Sequence, residues 1–425
     1  QSRRGAYTSP AMRCCLSLSL LAALASSCHA FAPTTPLSFR APAPAFSKMV
    51  SGRAGLPQLG LRGLRSVATN DVNAPTAMDW EKLADVAWGT IETDFMLMAK
   101  CAPETNMEWT KGEVVPYGDF KISPRAAIIN YGQGLFEGMK AQRTAEGKIV
   151  IFRPTRNSRR INYGCERLCM PPVPEDIFVQ AVKDCVLANA KWVPPQGKGS
   201  LYLRPMVFGS GAVLGLQPAP SYTFCIYVSP VGSYFKGNQL TPIKLKLETQ
   251  FSRAAAGGSG GIKAVGNYAP SLKPQMLAKK AGFDNVLYLD AEEQKYIEEV
   301  GTSNVFVVMG KTIVTPGLKG GGSPEDTILE GVTRDSIIQV CKDKGYEVVE
   351  KRVSIQELMD SDEAFTVGTA VVVSPIGEVQ HMDKVKKWEF ADGAGPVTSE
   401  IYETLVGIQT GKIPDPYGWT VYVDY

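Results

Sequence analysis

Two apolar runs constrain the fold most: SLYLRPMVFG, from Ser200 to Gly209, and YTFCIYVSPVG, from Tyr222 to Gly232. Both are rich in aromatic and β-branched residues, and the turn-forming GSGAVLGLQPAPS lies between them, so both read as β-strands. Upstream, EDIFVQAVKDCVLANA repeats apolar side chains at helical spacing through Ile177, Ala181, Val182, Cys185 and Val186 before VPP stops it. Helix and strands together make the first half an α+β unit that closes near Pro230.

The turn-rich GSYFKGNQLTP, residues 232–242, reads as an interdomain linker. Beyond it, IKLKLET alternates Ile243, Leu245 and Leu247 with charged residues, the pattern of a half-buried strand. NVLYLD adds a strand, and NVFVVMGKTIVTP reads as a hairpin turning at Gly310 and Lys311. TRDSIIQVCKDKG reads as a helix ended by Gly345, and SIQE, Ser354 to Glu357, as a capping box opening another. A chain of 425 residues suits two domains after a leader, here 79–231 and 243–425 with a leader over 1–78.

The leader is set apart by charge. The first seventy residues hold eight Lys and Arg and no acid, and removing them takes the formal charge from +3 to about −5. Basicity is thus a property of the leader, which argues against a nucleic-acid surface on the folded part. MRCCLSLSLLAALASSCHA, from Met12, has signal-peptide grammar and is too short to span a bilayer. The acid-free segment from Phe31, rich in Arg, Ser, Ala and Pro, reads as a transit peptide, and the pair resembles the bipartite leaders of secondary plastids. A mitochondrial or simple secretory leader is the alternative.

Histidine and cysteine exclude several chemistries. Only His29 and His381 occur, and His29 lies in the leader, so a His-based zinc site or two-His metalloprotease is excluded and no metal is expected. The six cysteines beyond the leader are dispersed with no CxxC, which suits buried thiols in a reducing compartment. AAAGGSGGIK is no Walker loop, because Ile262 separates Gly261 from Lys263 and Ala264 follows. GSGAVLG has one residue too many for a dinucleotide fingerprint.

A small-molecule phosphate site fits better. LEGVTRD puts Gly331, Val332 and Thr333 at a helix start, where free amides and the helix dipole attract an anion. VGTAVVVSP offers a second cluster at Gly368, Thr369 and Ala370, after the apparent strand EAFTV. Arg153 in IFRPTRNSRRI supplies a planar cation, and Lys263 in GGIKAVGNYA is a candidate for covalent attachment of a ligand.

Together with YGQGLFEGMKAQR, LYLRPMVFGSG and IEEVGTSN, these motifs stand in the order and spacing of the branched-chain amino acid aminotransferases, which the chain resembles from about residue 85 to 420. The likeness is to the plant and bacterial branch, since Val371 and Ser374 stand where animal members have a CxxC pair. It implies a two-domain, mixed α/β (α+β) fold of type IV, with a small N-terminal α+β domain and a larger C-terminal domain around a β-barrel-like core. It implies pyridoxal 5′-phosphate (PLP) as cofactor, Lys263 as its Schiff-base lysine and sole catalytic residue, and Tyr268 against its phenolic oxygen. Glu299 would face the pyridine nitrogen; Glu298 is the alternative, which strand alternation sends to the opposite face. Arg153, Val332, Thr333 and Thr369 would hold the phosphate. Tyr131, Phe136, Tyr202, Arg204, Thr369 and Ala370 would bind substrate, with Leu216 entering from a second subunit of a homodimer. The glycines before Lys263 would leave room for the flat cofactor. The activity implied is amino transfer from L-leucine, L-isoleucine or L-valine to 2-oxoglutarate.

Overall fold

The computed structural model describes residues 75–76, 78–86, 88–232, 240–318 and 326–423. The leader expected over 1–78 falls almost entirely outside the described residues, as does most of the linker expected over 232–242.

The long apolar runs build one antiparallel sheet. Its strands are β1 (Phe95–Cys101), β2 (Glu113–Pro116), β3 (Gly134–Phe136), β4 (Met139–Arg143), β5 (Ile149–Phe152), β6 (Ser200–Gly209) and β7 (Tyr222–Val231), joined at one edge by the C-terminal strand Thr420–Val423. From that edge the order is β5, β4, β6, β7, β1, β2, with β3 also paired to β6. β6 and β7 pair without a break from Ser200 opposite Val231 to Gly209 opposite Tyr222. Pro205 is tolerated in this central strand because it falls between the stretches paired to β3 and β4, where only its carbonyl is used, accepting from Glu137 N at 2.7 Å. The helices Pro154–Arg167 and Glu175–Ala188 cover the sheet; Ala181, Val182, Cys185 and Val186 are fully buried against it, joined by Phe178.

The second sheet comprises β8 (Ile243–Glu248), β9 (Asn285–Leu289), β10 (Tyr296–Val300), β11 (Ser303–Met309), β12 (Thr312–Pro316), β13 (Glu347–Lys351), β14 (Val353–Ser354), β15 (Glu363–Gly368), β16 (Val372–His381) and β17 (Lys384–Lys387). Six of these close a ring: β11, β15, β16, β8, β9 and β10, with β10 pairing back to β11. Each ring strand gives apolar side chains to one core, among them Leu247, Leu287, Val300, Val305, Ala364 and Ile376. Closure leaves these strands no free edge, and the inward residues fill the barrel. The fold is therefore the type IV architecture implied by the sequence.

The local signals hold in detail. β11 and β12 turn through Gly310 and Lys311 with Met309 opposite Thr312, and Gly310 adopts φ +59°. Ser354 and Glu357 form a reciprocal capping box. The C-terminal strand returns to the first sheet, so position 243 divides the chain without separating every element of one sheet from the other.

Candidate active site

The lysine loop is pinned to the first sheet. Phe136 N donates to Lys263 O at 3.2 Å, and Leu135 bridges Ala264 in antiparallel fashion, so the segment continues the edge of β3. Ile262 and Ala264 are buried in the first core, which leaves the Lys263 side chain directed the other way. Asn267 staples the loop: its amide donates to Ser259 O at 2.6 Å and Ile262 O at 2.9 Å, and its oxygen accepts from Ser259 Oγ at 2.7 Å. Lys263 Nζ then lies 3.0 Å from Tyr268 Oη and 4.9 Å from the centre of the Phe136 ring.

The preceding glycines have another cause than the one expected. A Cβ on Gly260 would lie 2.4 Å from Ala254 Cβ and 2.7 Å from Thr327 O, and one on Gly261 would lie 3.0 Å from Asp326 Cα. Both are small because the loop packs against the backbone at 326–327, with Gly261 N donating to Asp326 O at 2.6 Å.

In front of Lys263 is a cavity of about 590 Å³, within the range of small-molecule sites. Phe136, Tyr202, Arg204, Lys263, Tyr268, Thr369 and Ala370 all line it. Alternation on β6 explains two of them: Leu201 and Leu203 face the core while Tyr202, Arg204 and Met206 face the cavity. The Arg204 guanidinium lies 4.7 Å from the Phe136 ring centre and 3.4 Å from Tyr202 Oη. Gly138 allows this packing, since a Cβ there would fall 2.0 Å from Tyr202 Oη.

Behind the cavity, Glu299 is 2 % exposed and pairs with Arg253 at 2.7 Å. It also accepts from Leu329 N at 3.0 Å and from the Asn304 amide at 3.3 Å. Burial pushes its pKa up, and the charges of Arg253 and Lys263, with the Leu329 N–H between them in strength, oppose that rise. The simple alternation expected for Glu298 is broken. The β9–β10 register shifts between Ile297 and Val300, and both of these residues face the barrel core although three positions apart. Glu298 and Glu299 are both buried, and both feel the charge of Arg253.

Burial, opposed by the Thr327 hydroxyl, raises Glu298 to about 7. A carboxyl whose folded pKa exceeds its unfolded value adds stability in full below the unfolded pKa, here 4.5, and loses it as pH rises to about 7. Glu298→Gln is therefore expected to stabilise the protein at pH 8 by about 1–3 kcal/mol, with the difference vanishing near pH 4. Denaturant unfolding at the two pH values checks this; a difference independent of pH would refute the assignment.

Arg153, which is not among the residues lining the cavity, opens the Pro154–Arg167 helix in a left-handed conformation, φ +49°, a sparsely populated state for a non-glycine residue. Its guanidinium donates to Ser336 Oγ at 2.7 Å, pairs with Asp335 at 2.7 Å and lies 4.7 Å from the Trp419 ring centre. It thus reaches the first turn of the helix Val332–Asp343, whose N-cap, Gly331, provides no side-chain cap. A Cβ on Gly331 would fall 2.1 Å from Asn304 Oδ1. Val332 and Thr333 are buried at this helix start. The donor set suits a phosphorylated pyridine aldehyde: an amine over a cavity, a buried carboxylate behind it, and an uncapped helix start beside an arginine.

Tyr131 lies away from the cavity expected for it, and Leu216, expected to enter a second subunit, is outside its own. Tyr131 is 39 % exposed and its hydroxyl donates to Leu214 O, while Leu216 is 86 % exposed; neither lines the cavity of its own chain. Sequence reasoning missed Arg253, Asn304, Asn267, Gly138 and Lys140. All but Arg253 lie inside quoted motifs, yet nothing in one sequence separates a stapling Asn from a turn Asn.

Residues 134–379 match the family of class IV amino-transferases, and the chain belongs to that family. The chloroplastic branched-chain-amino-acid aminotransferase 5 of Arabidopsis thaliana is 47 % identical over 84 % of this chain and 83 % of its own length. The mitochondrial branched-chain amino acid aminotransferase 1 of Humulus lupulus is 46 % identical over 82 % of this chain and 86 % of its own. Among solved structures, the branched-chain amino acid aminotransferase of Escherichia coli superposes with TM-score 0.66 and 27 % identity, over 78 % of this chain and all of the other. Another solved branched-chain amino acid aminotransferase, with pyridoxamine 5′-phosphate, superposes with TM-score 0.65 and 28 % identity, over 79 % of this chain and all of the other. Within the class, the chain is an enzyme of the branched-chain-amino-acid aminotransferase group.

Proposed function

We propose that the enzyme transfers the amino group of L-leucine, L-isoleucine or L-valine reversibly to 2-oxoglutarate, using PLP held through Lys263. The observation that carries this is the convergence of Lys263, Tyr268, Arg204 and the Thr369–Ala370 turn on one cavity. When bound, the cofactor supplies an electron sink for charge developing at the substrate Cα. Lys263 provides the amine for attachment and, once released, carries the α-proton. Tyr268 orients that amine through its hydroxyl, and Glu299, backed by Arg253, stabilises a protonated pyridine nitrogen. Arg153 and the Val332–Thr333 amides hold the phosphate, with the Thr369 hydroxyl alongside.

Phe136 and Tyr202 give the pocket an apolar wall for a branched side chain, and the Thr369 and Ala370 amides receive the α-carboxylate. Arg204, reaching the same wall, accommodates the second carboxylate of glutamate. Tyr131 and Leu216 complete the pocket of a second copy, so the working unit is a homodimer; their exposure away from their own cavity supports this reading. An apolar pocket separates one methylene by only about 1–3 kcal/mol, so use of all three branched substrates, and of methionine, is expected. Organellar import agrees with relatives named chloroplastic and mitochondrial, and the signal-peptide-like segment from Met12 ahead of the transit-like segment from Phe31 favours the plastid.

The test is amino transfer by purified protein from leucine, isoleucine, valine and methionine, with D-alanine and aminodeoxychorismate as competing donors. Higher turnover of either of the last two would replace this reading with another activity of the same fold type.

A further inference from the structure

The turn that joins β15 to β16 is strained. Val372 adopts φ +61°, an outlier for a β-branched residue, and Val373 N donates to Val371 O at 2.9 Å, closing a tight turn. Strain of this kind persists only where the surroundings over-determine it. The bend between β3 and β4 supplies one restraint, Thr369 Oγ1 donating to Gly138 O at 3.2 Å, and β4 a second, Lys140 Nζ donating to Ala370 O at 2.6 Å. Lys140 is itself placed by the Trp88 ring, 5.9 Å away, which packs edge-on against Tyr202 at 5.7 Å.

We propose that Lys140 is a positioning residue for substrate carboxylate: by holding the Ala370 carbonyl, it fixes the Ala370–Val371 peptide plane at the strained end of the turn and so anchors the segment whose preceding Thr369 and Ala370 N–H groups face the cavity. This rests on the reading above that these amides receive the α-carboxylate. Lys140 does not touch the substrate. A charge-assisted bond to a carbonyl is stronger than a neutral one and sets the plane of the peptide that carries it. The enclosed ammonium is lowered to about 8 by burial, a cost consistent with a cation kept there for a local purpose.

The test uses the holoenzyme and 4-methylvaleric acid, a branched carboxylate with no amino group to transfer, with its dissociation constant read by calorimetry. Lys140→Met is expected to weaken binding by about tenfold or more, and to raise KM for both leucine and 2-oxoglutarate, while kcat and cofactor retention stay within about threefold. Lys140→Arg, which keeps the charged donor, is expected to stay within about threefold of the native affinity. In a Val372→Gly background, where the strain is relieved, the effect of Lys140→Met is expected to shrink to about threefold or less.

A change under twofold for Lys140→Met overturns the proposal. So does a tenfold loss that persists unchanged with Val372→Gly, because a purely Coulombic role for Lys140 would be indifferent to residue 372. If Lys140→Met fails to fold, Lys140→Gln serves in the same comparisons. Failure of the native enzyme to bind 4-methylvaleric acid, or to use leucine, would instead refute the assignment of the site.

Discussion

Replacement of Lys263 by alanine is expected to lower amino transfer from leucine by about 10⁴-fold or more and to abolish covalent attachment of the cofactor. The measurement is borohydride reduction followed by peptide mass mapping: the native enzyme should carry the cofactor mass on Lys263 and the variant should carry none. The structure makes this a sharp test, because a second lysine lies nearby. Lys140 is bonded to Ala370 O one strand away, whereas Lys263 lines the cavity beside Tyr268 and Phe136. Cofactor trapped on Lys140 in the native enzyme, or on any residue of the site in the Lys263→Ala variant, would overturn the assignment.

The second large effect is expected at Arg253. Its side chain is 4 % exposed and is paired with Glu299, itself 3 % exposed at the side chain. Removing one member of a buried ion pair leaves the other charge without compensation, which costs about 3–5 kcal/mol. Arg253→Met is therefore expected to destabilise the enzyme by that amount in denaturant unfolding. Adding Glu299→Gln should recover part of the loss, because it removes the stranded carboxylate while its one amide oxygen still accepts from Leu329 N. A loss under about 1 kcal/mol for Arg253→Met would show that the pair is not a closed buried unit.

Much of the fold was legible where local physics decides it. The β11–β12 turn at Gly310, the capping box at Ser354 and the helical face of Ala181, Val182, Cys185 and Val186 follow from backbone preference and apolar period alone. The site was legible mainly through motif order, and there the limits are instructive. Alternation failed at Glu298 and Glu299 because a bulge between Ile297 and Val300 breaks the twofold period, and no residue in IEEVGTSN announces one. The glycines of GGSGGIK suggested room for a ligand, but Gly260 and Gly261 are small because residues 326–327 press against them. That contact joins segments more than sixty residues apart, and composition cannot show it.

What the sequence determined by itself was the elements with strong local signals, the exclusion of histidine and P-loop chemistry, and the residues from which a site of this kind is built. These depend on short-range backbone preference and on which side chains are present at all. Only the tertiary structure decided that six strands close on themselves, that Arg253 backs Glu299, that Lys140 grips the turn carrying Thr369 and Ala370, and that the Tyr131 hydroxyl turns to Leu214 O instead of its own cavity. Each of these is a contact between distant segments, and its strength comes from burial and geometry that exist only once the two sheets have packed.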